Sequence, residues 1–278
     1  MSSHCDDICG DIERQASNVL VFPLAGVFAK HEAPRRHFIA TSNDAMFIAA
    51  DRPYRISYPA GIGDECLTIR FANESSEHIL PNKRTRNADL FANASRRLLS
   101  PSIMLARSLL WRKFLTNVWD PIDVEESSIA LVNATLDSDN TALDRTWRSS
   151  TRNRSIERVK EAVALHPERK WTLAELSRLA NVSPYHLAHL FRRDVGISVH
   201  KYVLRSRLAK SLESVLDSTT PLIMVAHDNG FASHSHFTAR FRDLFGVTPK
   251  TARRNASGKN AAQMRKIVTA RGGDVEVF

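Results

Sequence analysis

Two related stretches in the second half of the chain decide its fold. They read TLAELSRLANVSPYHLAHLFRRDVG at residues 172–196 and PLIMVAHDNGFASHSHFTARFRDLFG at residues 221–246. The first parts of the two stretches align at an offset of 49 residues and the second parts at an offset of 50. The one-residue change falls between the parts, where a turn accepts an insertion at little cost. Each copy is therefore predicted to form a helix, a short turn and a second helix.

Capping signals predict where the helices begin. Thr172 and Glu175 have the spacing of a capping box, and Ser183 followed by proline is typical of a helix start. Before the first copy, a helix is predicted to begin at Ser155. Between the copies, apolar residues recur at helical spacing and predict one long helix over residues 199–216.

Helical spacing divides the second helix of each copy into an inward apolar face and an outward polar face. In a helix-turn-helix unit this second helix enters the major groove of DNA, so its outward side chains become candidates for contacts with bases and phosphates. The candidates in the first copy are Ser183, Tyr185, His186, Ala188, His189, Arg192 and Arg193. The candidates in the second copy are Ser233, His234, Ser235, Thr238, Ala239, Arg240 and Arg242. A repeated hairpin that only forms a small α-helical bundle is the alternative.

The excess positive charge lies entirely in the second half of the chain. Residues 1–150 contain 17 basic and 19 acidic residues, and residues 151–278 contain 22 and 11, which gives net charges of −2 and +11. This asymmetry favours nucleic acid as the partner of the second half. A basic surface that is only solvated is the alternative.

The C-terminal part of the chain resembles the DNA-binding domain of the AraC/XylS family of transcription regulators. The resemblance rests on GFASHSHFTARFRDLFGVTPKTAR at residues 230–253 and ISVHKYVLRSRLAKSLESVL at residues 197–216, and it covers residues 155–256. It implies two helix-turn-helix subdomains joined by the long helix, with recognition helices in successive major grooves about 34 Å apart. It also implies a transcription activator, with double-stranded DNA and RNA polymerase as partners.

The resemblance assigns base contacts to a subset of the candidates. These are Tyr185, Ala188 and His189 in the first recognition helix, and His234, Ser235 and Ala239 in the second. Family members often have arginine at the position of Ala239, whereas this chain has Arg240 one residue later. We therefore expect Arg240 to contact the DNA backbone or to pack on a neighbouring side chain.

The first half is predicted to form a sensor domain over residues 1–140. Short apolar runs over residues 19–71 predict strands, and helical spacing follows over residues 87–136. This order is similar to the cupin-like β-barrel with helices by which many AraC/XylS regulators sense a small molecule and form homodimers. The expected fold class is α+β, with the effector inside the barrel. Candidates for the dimer seam are Leu105, Leu109, Leu110 and Leu131.

Two polar segments flank the DNA-binding domain. Residues 141–154 lack apolar periodicity and predict a linker. Residues 257–278 predict a basic tail that either adds non-specific affinity for DNA or has no function.

No metal, cofactor or catalytic site is predicted. His31, Glu32 and His37 lack the spacing of a metal-binding cupin, and Cys5 and Cys9 lack the second cysteine pair of a zinc site. The chain has no glycine-rich phosphate loop and no nucleophile motif, so an enzyme is not expected.

The predicted location is the cytoplasm. The chain has three cysteines, an odd number that cannot form a closed set of disulfides, which favours a reducing compartment. It shows no apolar stretch long enough for a signal sequence or a membrane span.

These observations lead to one functional hypothesis and two alternatives. The hypothesis is a sequence-specific, DNA-binding transcription regulator that responds to a small molecule. One alternative is a DNA-binding regulator without such an effector, controlled by its own abundance or by a protein partner. The other is a cupin-type enzyme with an attached DNA-binding domain.

Overall fold

The computed structural model of the protein describes residues 10–33, 36–59, 61, 63–70, 96–116, 120–137, 150–217 and 219–257. Seven strands and nine helices lie within these ranges. The strands are β1 (Val19–Ala25), β2 (Phe28–Ala33), β3 (Arg36–Ala40), β4 (Asp44–Ile48), β5 (Arg55–Ser57), β6 (Glu65–Arg70) and β7 (Arg96–Leu98). The helices are α1 (Pro101–Thr116), α2 (Pro121–Asp137), α3 (Ser150–Leu165), α4 (Leu173–Leu179), α5 (Pro184–Val195), α6 (Val199–Leu216), α7 (Leu222–Asp228), α8 (His234–Phe245) and α9 (Pro249–Ser257).

The chain divides into two compact units. The first contains Met1–Leu98 and Asp139–Ser206, and the second contains Leu99–Ser138 and Arg207–Phe278. Each unit thus joins a part of the first half of the chain to one of the two repeats. The predicted boundary in the linker stays a prediction, because most of residues 141–154 and the tail from residue 258 lie outside the described residues.

Two antiparallel sheets form the strand-rich part of the first unit. One has the strand order β6-β1-β4-β7 and the other β3-β2-β5. Strand β1 is buried from Val19 through Leu24, since β4 and β6 flank it and its faces are covered, and this burial accounts for its unbroken apolar run. Residues of both sheets meet in one apolar cluster around Val21, Phe28 and Met46. The strands were predicted; a closed cupin-like barrel is not seen, since no ladder joins the two sheets within the described residues.

One predicted helical segment contains a strand instead. Residues Arg96–Leu98 form β7, which pairs with β4 in the register Asp44↔Leu98. Pairing with the open edge of β4 outweighs the local apolar spacing, a common effect for strand-edge segments. The part of this prediction over residues 87–95 lies outside the described residues.

The proposed dimer seam lies inside the second unit. Leu105, Leu109, Leu110 and Leu131 are all at most 4% exposed. Helices α1 and α2 pack on each other, and α1 also packs on α8 and α9, so the chain itself covers these side chains. The prediction that these four leucines form a dimer seam is therefore wrong.

Helix α3 supports the first repeat. It begins at Ser150, five residues before the predicted start, and ends at Leu165. Its apolar side chains Val159 and Val163 belong to the same buried cluster as Leu187 and Phe191 of α5. Ser155 is thus not a helix cap: it lies within α3, and its hydroxyl donates to the carbonyl of Ala180 at 2.8 Å. In the described part of the chain, no helix has the length and apolarity needed to cross a membrane.

Candidate nucleic-acid interface

The two repeats fold into matching helix-turn-helix units, as their sequences predicted. Helices α4 and α7 have seven residues each, and α5 and α8 have twelve each. Four residues separate α4 from α5, and five separate α7 from α8. The extra residue lies in the second turn, where the change of offset between the copies predicted it.

Serine caps the second helix of both units. The hydroxyl of Ser183 accepts the backbone N–H of His186 at 3.2 Å, and that of Ser233 accepts the N–H of His236 at 3.1 Å. Both serines are exposed. Since the hydroxyl oxygen serves as the acceptor, its own proton can still be donated to a DNA phosphate.

Left-handed residues recur at equivalent places in the two units. Gly196 and Gly246 end α5 and α8 with φ of 81° and 76°, which is the usual glycine helix end. Asn181 and Gly230, which align at the offset of 49, occupy the two turns with φ of 54° and 74°. Asparagine tolerates this conformation better than most side chains, so the two turns keep one geometry with different residues.

Helix α5 presents its candidate residues on one exposed face. Leu187 and Phe191 are fully buried, whereas Tyr185 is 85% exposed. The other exposed residues on this helix include His186, Ala188, His189, Arg192 and Arg193. The face that would enter a groove therefore carries an aromatic ring, imidazoles and guanidinium groups, all of which suit contacts with bases and phosphates.

The two arginines of α5 differ in their surroundings. Arg193 is paired with its neighbour Asp194, with Nη2 to Oδ2 at 2.8 Å. Arg192 forms no ion pair with any residue in the described ranges, and its side chain is exposed. Arg192 is thus the better placed of the two to contact a phosphate.

Helix α8 presents a second exposed face in the second helix-turn-helix unit. His234, Ser235, Ala239 and Arg242 are exposed there. The Arg240 side chain lies along its own helix, with Nε 3.4 Å from the imidazole of His236 and Nη1 3.6 Å from Asp243. This agrees with the expectation that Arg240 packs on a neighbour. Arg240 therefore does not replace the arginine that family members often have at the position of Ala239.

Thr238 departs from the predicted outward orientation. Its side chain is partly buried, and its Oγ1 is inaccessible with no hydrogen-bond partner within the described residues. Residues 238, 241 and 245 follow helical spacing, so Thr238 lies beside the stripe of Phe241 and Phe245 that packs inward. The prediction that the Thr238 hydroxyl faces DNA is therefore wrong.

A ladder of aromatic rings supports α8 from behind. Phe231 to Phe237, Phe237 to Phe241 and Phe241 to Phe245 have ring centroids 5.1, 5.6 and 4.6 Å apart. Tilted and edge-to-face pairs of this kind add to the energy of apolar burial. The ladder therefore holds the helix as a rigid support for its exposed face.

Arg253 is a structural residue that the sequence did not single out. Its guanidinium donates to the carbonyls of Val215 at 2.8 Å, Ser214 at 3.3 Å and Thr220 at 2.7 Å. These carbonyls lie at or just after the end of α6, where backbone acceptors lack helical partners. Arg253 thus fixes the connection between α6 and the second helix-turn-helix unit, in the place of a glycine cap.

Further basic groups surround a groove beside the first turn. The groove has a volume of about 310 Å³ and lies between α3, the turn and the start of α5. Its basic lining residues are Arg154, Arg158 and His186. Arg154 and Arg158 extend the positive charge of the first helix-turn-helix unit next to the exposed face of α5.

A separate cavity of about 200 Å³ lies within the strand-rich part of the first unit. Its apolar lining includes Val21, Phe28 and Ile48, and its polar lining includes Tyr54 and Arg70. The hydroxyl of Tyr54 donates to Glu13 at 2.8 Å, and burial raises the pKa of Tyr54. The cavity thus combines apolar walls with several polar groups, and its volume lies below the roughly 300 Å³ at which small-molecule sites usually begin.

A comparison with protein-family models finds a match in the second half of the chain. Residues 176–255 match the protein family described as "Helix-turn-helix domain". The probable transcriptional regulator LumQ of Photobacterium leiognathi is 38% identical over 84 residues, which are 30% of this chain and 34% of LumQ. A putative AraC-like transcription regulator of Streptomyces antibioticus is 32% identical over 89 residues, which are 32% of this chain and 29% of that protein. The chain thus matches about a third of the length of these relatives.

Solved structures match between 34% and 90% of the chain. A transcriptional regulator of Chromobacterium violaceum, of the AraC-type DNA-binding class, is 21% identical with a TM-score of 0.36. The match covers 38% of this chain and 95% of that one.

Proposed function

We propose that the whole chain is a sequence-specific, DNA-binding transcription regulator, and the match of residues 176–255 to the helix-turn-helix family supports this proposal. The observation that carries the proposal is the pair of matching units, each with a capped twelve-residue second helix whose outer face is exposed. The net charge of +11 over residues 151–278 supports DNA as the partner.

Affinity and sequence preference come from different side chains. Arg192 and Arg242 are exposed near the ends of α5 and α8, where they suit phosphates and contribute to every sequence alike. Tyr185 and His189 on α5, and His234 on α8, suit base edges and set the preference. Helix α8 has Ala239 where family members often have arginine, so we expect α5 to contribute more of the sequence preference.

Selection from a random double-stranded DNA library by the full chain tests this proposal. Enrichment of sites with two conserved blocks one helical turn apart is the expected result. One short block would mean that α8 grips the backbone without reading bases. Absence of any enrichment would contradict sequence-specific binding and favour the small α-helical bundle.

The cavity between the sheets supports a small-molecule effector. Tyr54 and Arg70 offer polar contacts at its wall, and its volume of about 200 Å³, below the roughly 300 to 1,000 Å³ of most ligand pockets, limits the effector to a small metabolite. Bulk at Val21, introduced by Val21→Phe, is expected to abolish the thermal stabilisation of the protein by a metabolite that binds there, while DNA binding without the metabolite persists. A protein that no compound of a metabolite panel stabilises would favour control by abundance or by a protein partner.

Activation of transcription is the direction that the resemblance implies, with RNA polymerase as the further partner. In vitro transcription from a promoter carrying the selected site tests this step. More transcript in the presence of the protein is expected, and less transcript would identify a repressor.

A further inference from the structure

A buried ionic cluster joins the sheets of the first unit to its helix-turn-helix. Lys160 of α3 and Asp44 of β4 are each 1% exposed at their side chains, with Nζ and Oδ2 3.1 Å apart. Arg96 of β7 donates to the two carboxylate oxygens of Glu157 on α3 at 2.9 and 3.0 Å. Two cations and two carboxylates, which we call the ionic cluster, thus face each other away from water.

Backbone groups of β3 complete the bonding of the ionic cluster. The backbone N–H of Ile39 donates to Glu157 at 2.6 Å, and the amine of Lys160 donates to the carbonyl of Ile39 at 3.2 Å. The hydroxyl of Thr41 donates to Asp44 at 2.7 Å. Each charge therefore has fixed partners, and such a buried arrangement favours one relative position of its elements more than it adds net stability.

The turn between β3 and β4 also contacts α6. The amide of Asn43 donates to the hydroxyl of Ser206 at 2.8 Å, and Arg205 donates from Nε to Oδ1 of Asn43 at 3.1 Å. The hydroxyls of Thr41 and Tyr202 are 3.5 Å apart. Strand residues thus hold both helices that flank the first helix-turn-helix, α3 and α6.

The buried charges of the ionic cluster must compensate one another. Burial lowers the pKa of Lys160, and the nearby Arg96 lowers it further. Burial also opposes the charge on Arg96, but Glu157 and Asp44 outweigh this effect and raise its pKa. Removal of one carboxylate leaves a buried cation without compensation, so the elements around it must move to admit water.

The recognition helix α5 rests on these same two helices. Leu187 and Phe191 of α5 share a buried cluster with Val159 of α3. The ring of Tyr202 on α6 packs edge-on against Phe191, with centroids 5.2 Å apart. A shift of α3 or α6 relative to the sheets is therefore passed to α5 through close-packed side chains.

We propose that Glu157 and Asp44 are positioning residues for base reading by α5, so that β7 and the β3–β4 turn belong to the first DNA-reading unit. This inference rests on the proposed function. Neither residue lies on the exposed face of α5, and both act through α3. The first half of the chain would then position the recognition helix through α3, in addition to any sensing role.

Discrimination by separate DNA blocks tests the inference in the full chain. The dissociation constant is measured for the selected site, for a duplex with the first block scrambled and for one with the second block scrambled. The dissociation constant for a scrambled duplex, divided by that for the intact site, gives one discrimination factor per block. This factor does not depend on the active fraction of the preparation. The block read by α5 is the one whose factor falls in His189→Ala.

Glu157→Gln is expected to lower the discrimination factor of the α5 block about tenfold, a large share of what one or two base pairs contribute, and to leave the other factor unchanged. Ser206→Ala removes only the hydroxyl that Asn43 bonds, and is expected to lower the same factor by a smaller amount. Lys30→Met is the control, since the Lys30 amine bonds to Glu32 and to the carbonyl of Phe47 within the strand-rich part. Its factors should match the wild type.

An unchanged α5 factor in a folded Glu157→Gln variant would overturn the inference, and so would each of three other results. The first is an equal loss for both blocks in Glu157→Gln, which indicates general destabilisation. The second is an equally large loss at the α5 block in Lys30→Met. The third is an unchanged α5 factor in Ser206→Ala where Glu157→Gln does not fold. A wild-type chain that discriminates neither block would instead contradict the proposed function itself.

Discussion

At the start of α5, side chains that hold the helix alternate with side chains that are open to DNA. Ser183 caps the helix, Leu187 is buried, and Tyr185 and His189 are exposed. The spacing is short enough that a single turn of helix carries both roles. Substitutions on this helix are therefore expected to separate cleanly into changes of sequence preference and changes of stability.

His189→Ala is expected to reduce the preference for one base pair by about 1 to 3 kcal/mol while stability stays unchanged. Arg193→Ala should weaken binding to all sequences evenly and only slightly, because its guanidinium is already paired with Asp194. Dissociation constants for a panel of single-base variants of the selected site measure both effects. Even losses across the panel for His189→Ala would remove this residue from the base-reading set.

Thr238 gives a residue-scale test in the second unit. Because its hydroxyl is buried without a partner, Thr238→Val should raise the free energy of unfolding by about 1 kcal/mol and leave DNA affinity unchanged. Thr135→Val is the matched control, since the Thr135 hydroxyl donates to the carbonyl of Leu131 at 2.7 Å and its loss should destabilise the protein. Urea unfolding and a binding titration check both variants. Weaker DNA binding by Thr238→Val would mean that the hydroxyl contacts DNA.

At the scale of elements, the repeat and its caps could be predicted because they depend on residues close in sequence. Thr172, Ser183 and Gly196 specify helix ends through contacts within a few residues. The start of α3 at Ser150 and the strand β7 could not be predicted in this way. Strand β7 depends on a partner far along the chain, the edge of β4, whose position no local spacing encodes.

The capping box of α4 gives the element a defined response to acid. The backbone and side chain of Thr172 donate to Glu175, and these hydrogen bonds lower the pKa of Glu175 to about 2. Since the folded pKa lies below the ordinary value, the stabilisation is present at neutral pH and is lost as the pH falls from about 4.5 towards about 2.

Glu175→Gln should therefore melt at a lower temperature than the wild type at pH 7, and the difference should shrink through this acid range. Thermal unfolding at a series of pH values measures it. High salt should reduce part of the difference, because Glu175 is only partly buried and also pairs with Arg169. A difference that is constant from pH 7 to pH 2 would contradict the assignment of the effect to the carboxylate.

Substitution of Arg253 is expected to destabilise the protein more than substitution of its neighbour Arg254 on α9. Arg253→Gln removes charged hydrogen bonds to carbonyls at and beyond the end of α6, which should lower the free energy of unfolding by about 2 kcal/mol. Arg254→Gln, at the exposed neighbouring position, should change it little. Urea unfolding of the two variants compares them directly. Equal losses of unfolding free energy in the two variants would mean that the hydrogen bonds of Arg253 add nothing beyond its positive charge.

At the scale of the whole molecule, the charge pattern could be predicted from the sequence but the division into units could not. Counting residues shows where positive charge concentrates. The grouping of the sheets with the first repeat, by contrast, depends on buried pairs such as Lys160 with Asp44, which are 116 residues apart in sequence. Charged residues usually lie at the surface, so a sequence gives no sign that these two meet in the interior.

The separation of charge also predicts how salt acts on DNA binding. Each arginine that neutralises a phosphate releases counterions, so the logarithm of affinity should fall linearly with the logarithm of salt concentration. Arg192→Ala and Arg242→Ala should each reduce this slope by about 1. Arg14→Ala makes the same change in net charge at an exposed position in the near-neutral first half, and it should leave the slope unchanged. If all three variants lowered the slope equally, overall charge rather than contacts from α5 and α8 would govern binding, and the exposed faces of these helices would lose their assigned role.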